Sequence, residues 1–302
     1  MHVHVVGNAC IDTTFRVGRF PAAGETLNAT AYADGLGGKG ANQAVAAART
    51  GAVVTLWTAL GKDPAGAWIR SRLNAELPDV QMTEFDLPSD RSTIIIDAGG
   101  ENFIVSGVAC SEAFDPIAQT DLARRITQGD ILVCQGNLRG AATNACLRAA
   151  RKNGTRTILN ASPIDEAALP DFGLTDILVV NQSEAKALTG QLDMAEAAGA
   201  LAAKGARTIV ITLGAKGCLV LGPAQAGTLR LPAPHVEVLD TSGAGDVFCG
   251  CLAGGLARSM PVTSALKFAL AAAAISVTRP GTLLSCPSAS EMAVLIDQTE
   301  LS

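Results

Sequence analysis

The sequence has few aromatic residues and no run of basic ones. Aromatic residues make up 4% of the 302 residues, and the formal net charge is −5. Stacking on single-stranded nucleic acid needs aromatic platforms, and binding its phosphates needs a basic surface. We therefore expect no nucleic-acid partner, and any phosphate group must be bound by backbone dipoles and a few individual cations.

The sequence also lacks a hydrophobic run long enough to span a membrane, and it lacks a CxxC pair of the kind found in metal and redox sites. The longest apolar run, residues 269–277, is far shorter than a membrane span of about 20 residues. Eight cysteines are scattered without a CxxC pair, which is typical of reduced thiols. The first residues open as a strand rather than as a signal peptide. These features predict a cytoplasmic protein with no membrane partner.

What the sequence contains is an alternation of β-branched runs with helical patterns. Strands are predicted at residues 2–6, 53–57, 131–134, 157–159, 177–180, 208–212 and 218–221, and helices at 41–50, 65–74, 141–153 and 195–204. Hydrophobic residues make up 48% of the chain, which is ample for a large core. Strands that alternate with helices predict an open, mostly parallel α/β sheet flanked by helices.

Two segments, residues 13–32 and 91–107, break this alternation. Each contains short alternating strands without a helix to cover them, at 13–17 with 27–32 and at 92–97 with 102–106. The second pair is joined by a hairpin-like turn at 98–101. We expect a small antiparallel β lid here, the alternative being an ordinary edge hairpin. The main α/β domain would then comprise residues 1–12, 33–90 and 108–302.

Polar residues recur where the predicted strands end. They are Asn8, Asp12, Gln135, Asn137, Asn160, Ser162, Asn181, Glu184, Thr212 and Gly214. Ligands of an open α/β sheet bind outside the carboxyl ends of its strands, so these residues predict one site built from several strands. Any one of them alone is weak support, since helix caps and turns use the same residue types.

The most informative motif is Asp-Thr-Ser-Gly-Ala-Gly-Asp at residues 240–246. Its glycines let the backbone approach an anion, and the helix that follows directs free N–H groups toward it. Asp246 in the first turn is well placed to accept a proton from an attacking hydroxyl. The alternative is structural, because an acidic residue in a first turn also stabilises the helix dipole by about 0.3–1 kcal/mol.

A second glycine-rich segment covers residues 35–43, Gly-Leu-Gly-Gly-Lys-Gly-Ala-Asn-Gln. It formally contains G-x-G-x-x-G, but it does not directly follow the first strand. The residues about 20 positions beyond Gly40 are Leu60 and Gly61, where an acidic residue is expected, and Asp63 is only nearby. A nicotinamide-dependent dehydrogenase is therefore disfavoured, and no Walker A loop is present. Lys39 and Asn42 could instead bond the hydroxyls of a polar ligand, the alternative for Lys39 being a solvated loop lysine.

These motifs, in this order, resemble those of the ribokinase-like carbohydrate kinases of the phosphofructokinase-B type. The resemblance covers nearly the whole chain, and the Gly-Gly-Lys-Gly-Ala-Asn segment is most like that of ribokinase itself. It rests on residues 7–12, 20–25, 37–46, 180–184, 211–217, 240–246 and 272–281. It implies a doubly wound sheet with a small β lid that often makes a homodimer, and an enzyme that transfers phosphate from ATP to a sugar.

The resemblance also implies roles for individual residues. Asp246 resembles the catalytic base, and the amides of Gly243, Ala244 and Gly245 resemble an anion hole. Sugar-binding positions match Asp12, Gly38, Lys39 and Asn42, with Asp246 itself also facing the sugar. Asn181 and Glu184 match an N-x-x-E motif that holds magnesium and phosphate largely through water, and Thr212, Gly214 and Gly217 match a nucleotide loop. Asp240, the Ser242 carbonyl and the loop carrying Thr278, Gly281 and Ser285 resemble a monovalent-cation site, so we expect ATP, Mg²⁺ and K⁺.

Two positions depart from the ribokinase pattern. Cys10 stands in place of an Asn, and Asn137 stands where a sugar-binding Glu is expected. Hydroxyls left unpaired in a buried site cost about 1–3 kcal/mol each. Ribose or a ribose-like sugar is the first expectation. The alternatives are a related kinase for a ketose, a sugar acid or a nucleoside, and a non-catalytic sugar sensor.

Overall fold

The computed structural model describes residues 1–223 and 227–300. The strands are β1 (His2–Val6), β2 (Cys10–Arg16), β3 (Ala31–Gly37), β4 (Val53–Gly61), β5 (Val80–Phe85), β6 (Arg91–Ile96), β7 (Asn102–Gly107), β8 (Ile131–Gln135), β9 (Arg156–Asn160), β10 (Ile177–Asn181), β11 (Thr208–Thr212), β12 (Cys218–Leu221) and β13 (Thr228–Leu231). The helices are α1 (Lys39–Arg49), α2 (Pro64–Glu76), α3 (Ala109–Ala113), α4 (Pro116–Gln119), α5 (Leu122–Arg125), α6 (Gly140–Lys152), α7 (Gln182–Thr189), α8 (Met194–Ala203), α9 (Ala244–Ala257), α10 (Val262–Ser276) and α11 (Ala289–Glu300).

A nine-stranded sheet forms the centre of the molecule. Its strand order is β13-β12-β11-β10-β9-β8-β1-β4-β5. All pairings are parallel except two at one edge, where β12 pairs antiparallel with β11 and with β13. The chain winds outward from β1 in both directions, through β4 to β5 and through β8 to β11. The expectation of a mostly parallel, doubly wound sheet is therefore confirmed, and the strand order reverses between β1 and β8. Ligands of such sheets bind beside this reversal, at the carboxyl ends of the strands.

Helices cover both faces of this sheet. Val3 and Val5 of β1 belong to the core cluster on the α1, α9 and α10 side, while Val6 belongs to the cluster on the α6 and α8 side. Because each central strand is buried on both faces, its sequence is a continuous apolar run rich in β-branched residues rather than an alternation of apolar and polar residues. Helix α9 is buried along most of its length, and it packs directly on α1.

The second sheet has four strands in the order β3-β2-β6-β7. Its two outer pairings are antiparallel, and the central pairing of β2 with β6 is parallel. The turn at 98–101 does join β6 to β7, closed by a hydrogen bond from the Gly100 N–H to the Asp97 carbonyl. The predicted strand at 27–32 was wrong, since β3 runs from Ala31 to Gly37 in register with the whole of β2. The division into lid and main domain stays a prediction.

All eight cysteines lie in the described part of the chain, where they are free and buried. Within residues 1–223 and 227–300, no helix is both long enough and apolar enough to span a bilayer.

Candidate functional site

Asp246 lies in the first turn of α9, immediately after a glycine turn. Gly243 is the N-cap residue with a φ of 76°, a left-handed conformation that glycine adopts without strain. A Cβ atom there would also come within 3.0 Å of the Thr282 backbone. Gly245 faces open space, and the Ala244 N–H donates to a carbonyl in the turn at 3.4 Å. This helix N-terminus can therefore accept an anion beside the Asp246 carboxylate.

The Asp246 side chain is 5% exposed and accepts two amide hydrogen bonds from the start of α1. Asn42 Nδ2 donates to Oδ2 at 3.1 Å, and Gln43 Nε2 donates to Oδ1 at 2.9 Å. Lys39 Nζ lies 3.8 Å from Oδ1. The nearby carboxylate raises the pKa of Lys39 despite the opposing effect of burial. Both carboxylate oxygens of Asp246 therefore accept an N–H group, and a cation lies close to one of them.

Asp12, predicted to bind sugar, is buried on β2 close to Asp246. Cys10 Sγ donates to its Oδ1 at 3.2 Å, and Thr282 Oγ1 donates to its Oδ2 at 3.5 Å. Burial raises the pKa of Asp12, and the negative charge of Asp246 raises it further, although the neighbouring donors oppose this. Gly38, the residue before α1, has a φ of 97° and allows this helix to start beside β2.

A cavity of about 220 Å³ opens in front of Asp246 at the carboxyl ends of the strands. Seven predicted site residues line it: Lys39, Asn181, Glu184, Thr212, Gly243, Gly245 and Asp246. The remaining lining residues are Val179, Val180, Thr241 and Cys249, which the sequence did not predict, and Asn160 and Ser162, which it predicted only as polar residues at a strand end. Of the predicted sugar-side residues, Lys39 and Asp246 line this cavity, whereas Asp12, Gly38, Asn42 and Asn137 do not.

Asn181 and Glu184 form a reciprocal cap at the start of α7. Asn181 Oδ1 accepts the Glu184 N–H, and Glu184 Oε2 accepts the Asn181 N–H, both at 2.8 Å. Glu184 also lines the cavity. Carboxylate and amide oxygens are ligands suited to Mg²⁺, which usually keeps several of its waters. The pair therefore fits a magnesium ion held largely through water.

Thr212 ends β11 and lines the cavity, whereas Gly214 and Gly217 lie in the turn beyond it and do not line it. Both glycines have positive φ, of 58° and 87°. The Gly217 carbonyl accepts the Leu213 N–H at 2.7 Å, which closes the turn. These glycines shape the loop next to the cavity.

Asp240 connects the α9 turn to the loop at 278–285. Its Oδ1 accepts the Ser242 N–H and its Oδ2 accepts the Gly281 N–H, both at 2.9 Å. Burial opposes ionisation, but these N–H donors lower the pKa of Asp240 overall. Thr278 Oγ1 donates to the Ile275 carbonyl near the end of α10, and Ser285 Oγ donates to the Thr282 carbonyl within the loop. Asp240 therefore ties the α9 turn to this loop through both of its carboxylate oxygens.

No three His, Cys, Asp or Glu side chains in the described ranges are close enough to share a metal ion. Asn137, predicted to bind sugar, lies two residues beyond β8, and its buried Oδ1 lacks a hydrogen-bond partner in the part of the chain that the structure describes. Sequence reasoning missed Gln43, which bonds Asp246 directly. Its signal was its place directly after Asn42, within the glycine-rich segment at 35–43.

Known proteins match the chain over almost its full length. Residues 1–289 match the model for the pfkB family carbohydrate kinases. Ribokinase from Mus musculus is 33% identical over 295 residues, covering 94% of this chain and 91% of that one. Deoxyribokinase from Salmonella typhi is 33% identical over 299 residues, covering 95% and 96%. The structure of Arabidopsis thaliana ribokinase complexed with ribose and ATP superposes with a TM-score of 0.84 at 25% identity, covering 97% and 98%. The chain therefore belongs to the pfkB family of carbohydrate kinases and is an ATP-dependent sugar kinase.

Proposed function

We propose that the enzyme transfers the γ-phosphate of ATP to a hydroxyl of ribose or a ribose-like sugar, with Asp246 as the catalytic base. The observation that carries this proposal is the buried carboxylate at a helix N-terminus, facing the cavity and held by Asn42 and Gln43. Mouse ribokinase and the Arabidopsis ribokinase, whose structure contains ribose and ATP, support the choice of sugar.

In this mechanism the sugar binds beside α1 and β2, where Asp12, Gly38, Lys39 and Asn42 lie. Its reacting hydroxyl faces Asp246, which accepts the proton as the oxygen attacks the γ-phosphate. The amides of residues 243–245 then face the charge that develops on the transferred group. Lys39, whose Nζ lies 3.8 Å from Asp246 Oδ1, is a cation that would offset the same negative charge.

On the nucleotide side, ATP binds along the loops after β10 and β11, with Thr212, Gly214 and Gly217 beside it. Asn181 and Glu184 would hold Mg²⁺ through water, and the metal would neutralise phosphate charge there. Asp240, the Ser242 carbonyl and the loop with Thr278, Gly281 and Ser285 would hold K⁺ and so fix the α9 turn. This proposal is supported by the two hydrogen bonds that Asp240 accepts, one from Ser242 in the α9 turn and one from Gly281 in the loop at 278–285.

Cys10 and Asn137 are the first candidates for a change in sugar specificity. Cys10 Sγ bonds Asp12 Oδ1 and lies 3.8 Å from Ser92 Oγ, so its thiol fills part of the space beside the proposed sugar. The Asn137 Oδ1 is buried and available to accept a hydroxyl. Because the Salmonella typhi deoxyribokinase is as similar as mouse ribokinase, 2-deoxyribose belongs in any substrate panel beside ketoses, sugar acids and nucleosides.

We also propose a homodimer formed through the four-stranded sheet, and a cytoplasmic location. The sheet exposes large apolar side chains, namely Tyr32, Phe103, Ile104 and Val105. Apolar patches of this kind on a soluble surface commonly mark protein interfaces. Eight buried, free thiols support a reducing compartment.

The experiment that tests the base is Asp246→Asn, assayed by ADP release with ATP, Mg²⁺ and K⁺ across the sugar panel. General-base catalysis contributes about 10²–10⁴-fold, so we expect turnover to fall by at least that order. The fold should persist, because Asn42 Oδ1 has no partner among the described residues and its amide can turn to accept the new N–H. The matched control is Glu196→Gln, which removes an acidic group from the first turn of α8.

The control separates catalysis from helix stabilisation. If Asp246 serves only the helix dipole, both variants should lose a few tenths of a kcal/mol of stability and keep full turnover. Wild-type turnover of Asp246→Asn at any sugar would refute the proposed base. A wild-type enzyme that binds ATP without turnover on the whole panel would favour a sensor over a ribose kinase.

A further inference from the structure

Beneath Asp246, three buried amide side chains from separate elements form a hydrogen-bonded network. Gln43 of α1 and Gln135 of β8 are each 0% exposed, and Asn160 of β9 is nearly so. Gln135 Nε2 donates to Gln43 Oε1 at 2.9 Å. Gln43 Nε2 donates both to Asp246 Oδ1 at 2.9 Å and to Asn160 Oδ1 at 3.1 Å. We call Gln43, Gln135 and Asn160 the amide network.

The partners of the network fix the orientation of each amide. An ionised carboxylate only accepts hydrogen bonds, so Gln43 must present its NH₂ group to Asp246. Asn160 Nδ2 donates to the Val179 carbonyl at 3.2 Å, which places Asn160 Oδ1 toward the same NH₂ group. Both protons of Gln43 Nε2 are then used, and its Oε1 is left to accept from Gln135. A turned Gln43 amide would place two oxygens against each other at Asp246.

The surrounding backbone makes room for this arrangement. A side chain at Gly7 would clash with Gln135 Oε1, and one at Gly250 would clash with the Gln43 carbonyl. Gln135 Oε1 has no partner among the described residues. A buried acceptor without a partner is a cost to folding, so stability alone does not account for a glutamine here. An apolar residue of the same volume would fill the space equally well.

We propose that Gln43, held by Gln135 and Asn160, is a positioning residue that fixes the Asp246 carboxylate in one rotation. This inference rests on the proposed role of Asp246 as the base. Asn42 bonds the other carboxylate oxygen, so the two amides together prevent the group from rotating. Gln43 itself does not line the cavity, and it acts on the reaction only through Asp246.

The test compares Gln43→Leu with Gln135→Met and with the matched control Gln81→Leu. Gln81 Nε2 donates to an Asp79 oxygen at 2.6 Å, so it is also a glutamine that bonds a carboxylate, away from the cavity. For Gln43→Leu we expect kcat to fall by about ten- to a hundredfold, the loss of one hydrogen bond to a charged group. KM for ATP should stay within about twofold.

Gln135→Met keeps the Gln43 contact to Asp246 but frees Gln43 Oε1, so it should show the same changes in weaker form. Gln81→Leu should leave both kcat and KM for ATP unchanged. Gln43→Leu with a normal kcat would refute the inference, and should that variant not fold, a normal kcat for Gln135→Met would do the same. An inactive Asp246→Asn together with those results would leave the base intact and refute only the network; an active Asp246→Asn would refute the base first.

Discussion

His4 should make the folded protein lose stability as the pH falls from neutral. It lies on β1, is 1% exposed, and stacks on His2 with ring centroids 4.3 Å apart. Trp57 Nε1 donates to His4 Nδ1 at 3.3 Å, so the neutral ring carries its proton on Nε2. Burial, the largest cause, and the neighbouring His2 together lower the pKa of His4 from its ordinary value of 6.5 to about 4, although nearby Asp130 opposes them.

The sign and size of the effect follow from that pKa. Above pH 6.5 the ring is neutral in both states and costs nothing. Between pH 6.5 and about 4 the unfolded chain binds a proton that the folded protein does not, so the free energy of unfolding decreases. Each pH unit corresponds to about 1.4 kcal/mol, which gives a total of about 3 kcal/mol from His4 alone.

The variant that tests this is His4→Asn, whose Oδ1 can still accept the Trp57 N–H. Urea denaturation at steps between pH 7.5 and 4.5 should give a shallower loss of stability for His4→Asn than for the wild type. The difference in unfolding free energy between the two proteins should change by about 2.5 kcal/mol over this range, whatever its value at pH 7.5. His235→Asn, at an exposed position, is the control and should keep the wild-type slope. Equal slopes for wild type and His4→Asn would refute the reasoning.

Two further substitutions test packing and cation binding. Gly250→Ala would place a Cβ atom 2.6 Å from Ala46 Cβ and force α9 away from α1, so urea denaturation should show a loss of about 1–3 kcal/mol. Gly199→Ala in α8, where a Cβ atom meets nothing within 4 Å, should instead gain about 0.5–1 kcal/mol, and a loss there would contradict the packing argument. Asp240→Ala should make ADP release equal in potassium and tetramethylammonium chloride, whereas a retained potassium effect would place the cation elsewhere.

The main sheet could be predicted because its signals are local. Each central strand is a β-branched run that is buried on both faces, and the glycine turn before Asp246 marks the start of a helix in the sequence itself. The four-stranded sheet was harder, because its central pairing joins β2 to β6, strands about 80 residues apart in sequence. No local pattern fixes whether such a pair runs parallel.

The amide network could not be predicted from the sequence, because its members are also far apart along the chain. Its hydrogen bonds join residues 92, 117 and 203 positions apart. The sequence showed polar residues at several strand ends, and such residues serve caps and turns as often as sites. Only the packing of α1 on α9 determines that Gln43 meets Asp246 rather than solvent.

The glycine-rich segment illustrates how the same residues can support two readings until their contacts are known. A side chain at Gly37 would clash with Asp12, and one at Gly38 would come within 2.7 Å of the Asn8 carbonyl. One at Gly40 would come within 2.6 Å of the Gly7 backbone. These glycines therefore allow the backbone at the start of α1 to pack closely against the loop after β1.

That close packing explains why G-x-G-x-x-G occurs here without a nicotinamide site. In a dinucleotide fold the glycines bring the backbone close to a pyrophosphate. Here they bring the start of α1 against the loop after β1, which leaves Lys39 on the cavity and Asn42 on the carboxylate of Asp246. The anion-binding turn is instead the one at Gly243, at the start of α9. The glycine spacing is the same here as in a dinucleotide fold. What distinguishes this segment is that its glycines lie at and just beyond the end of β3 rather than directly after β1.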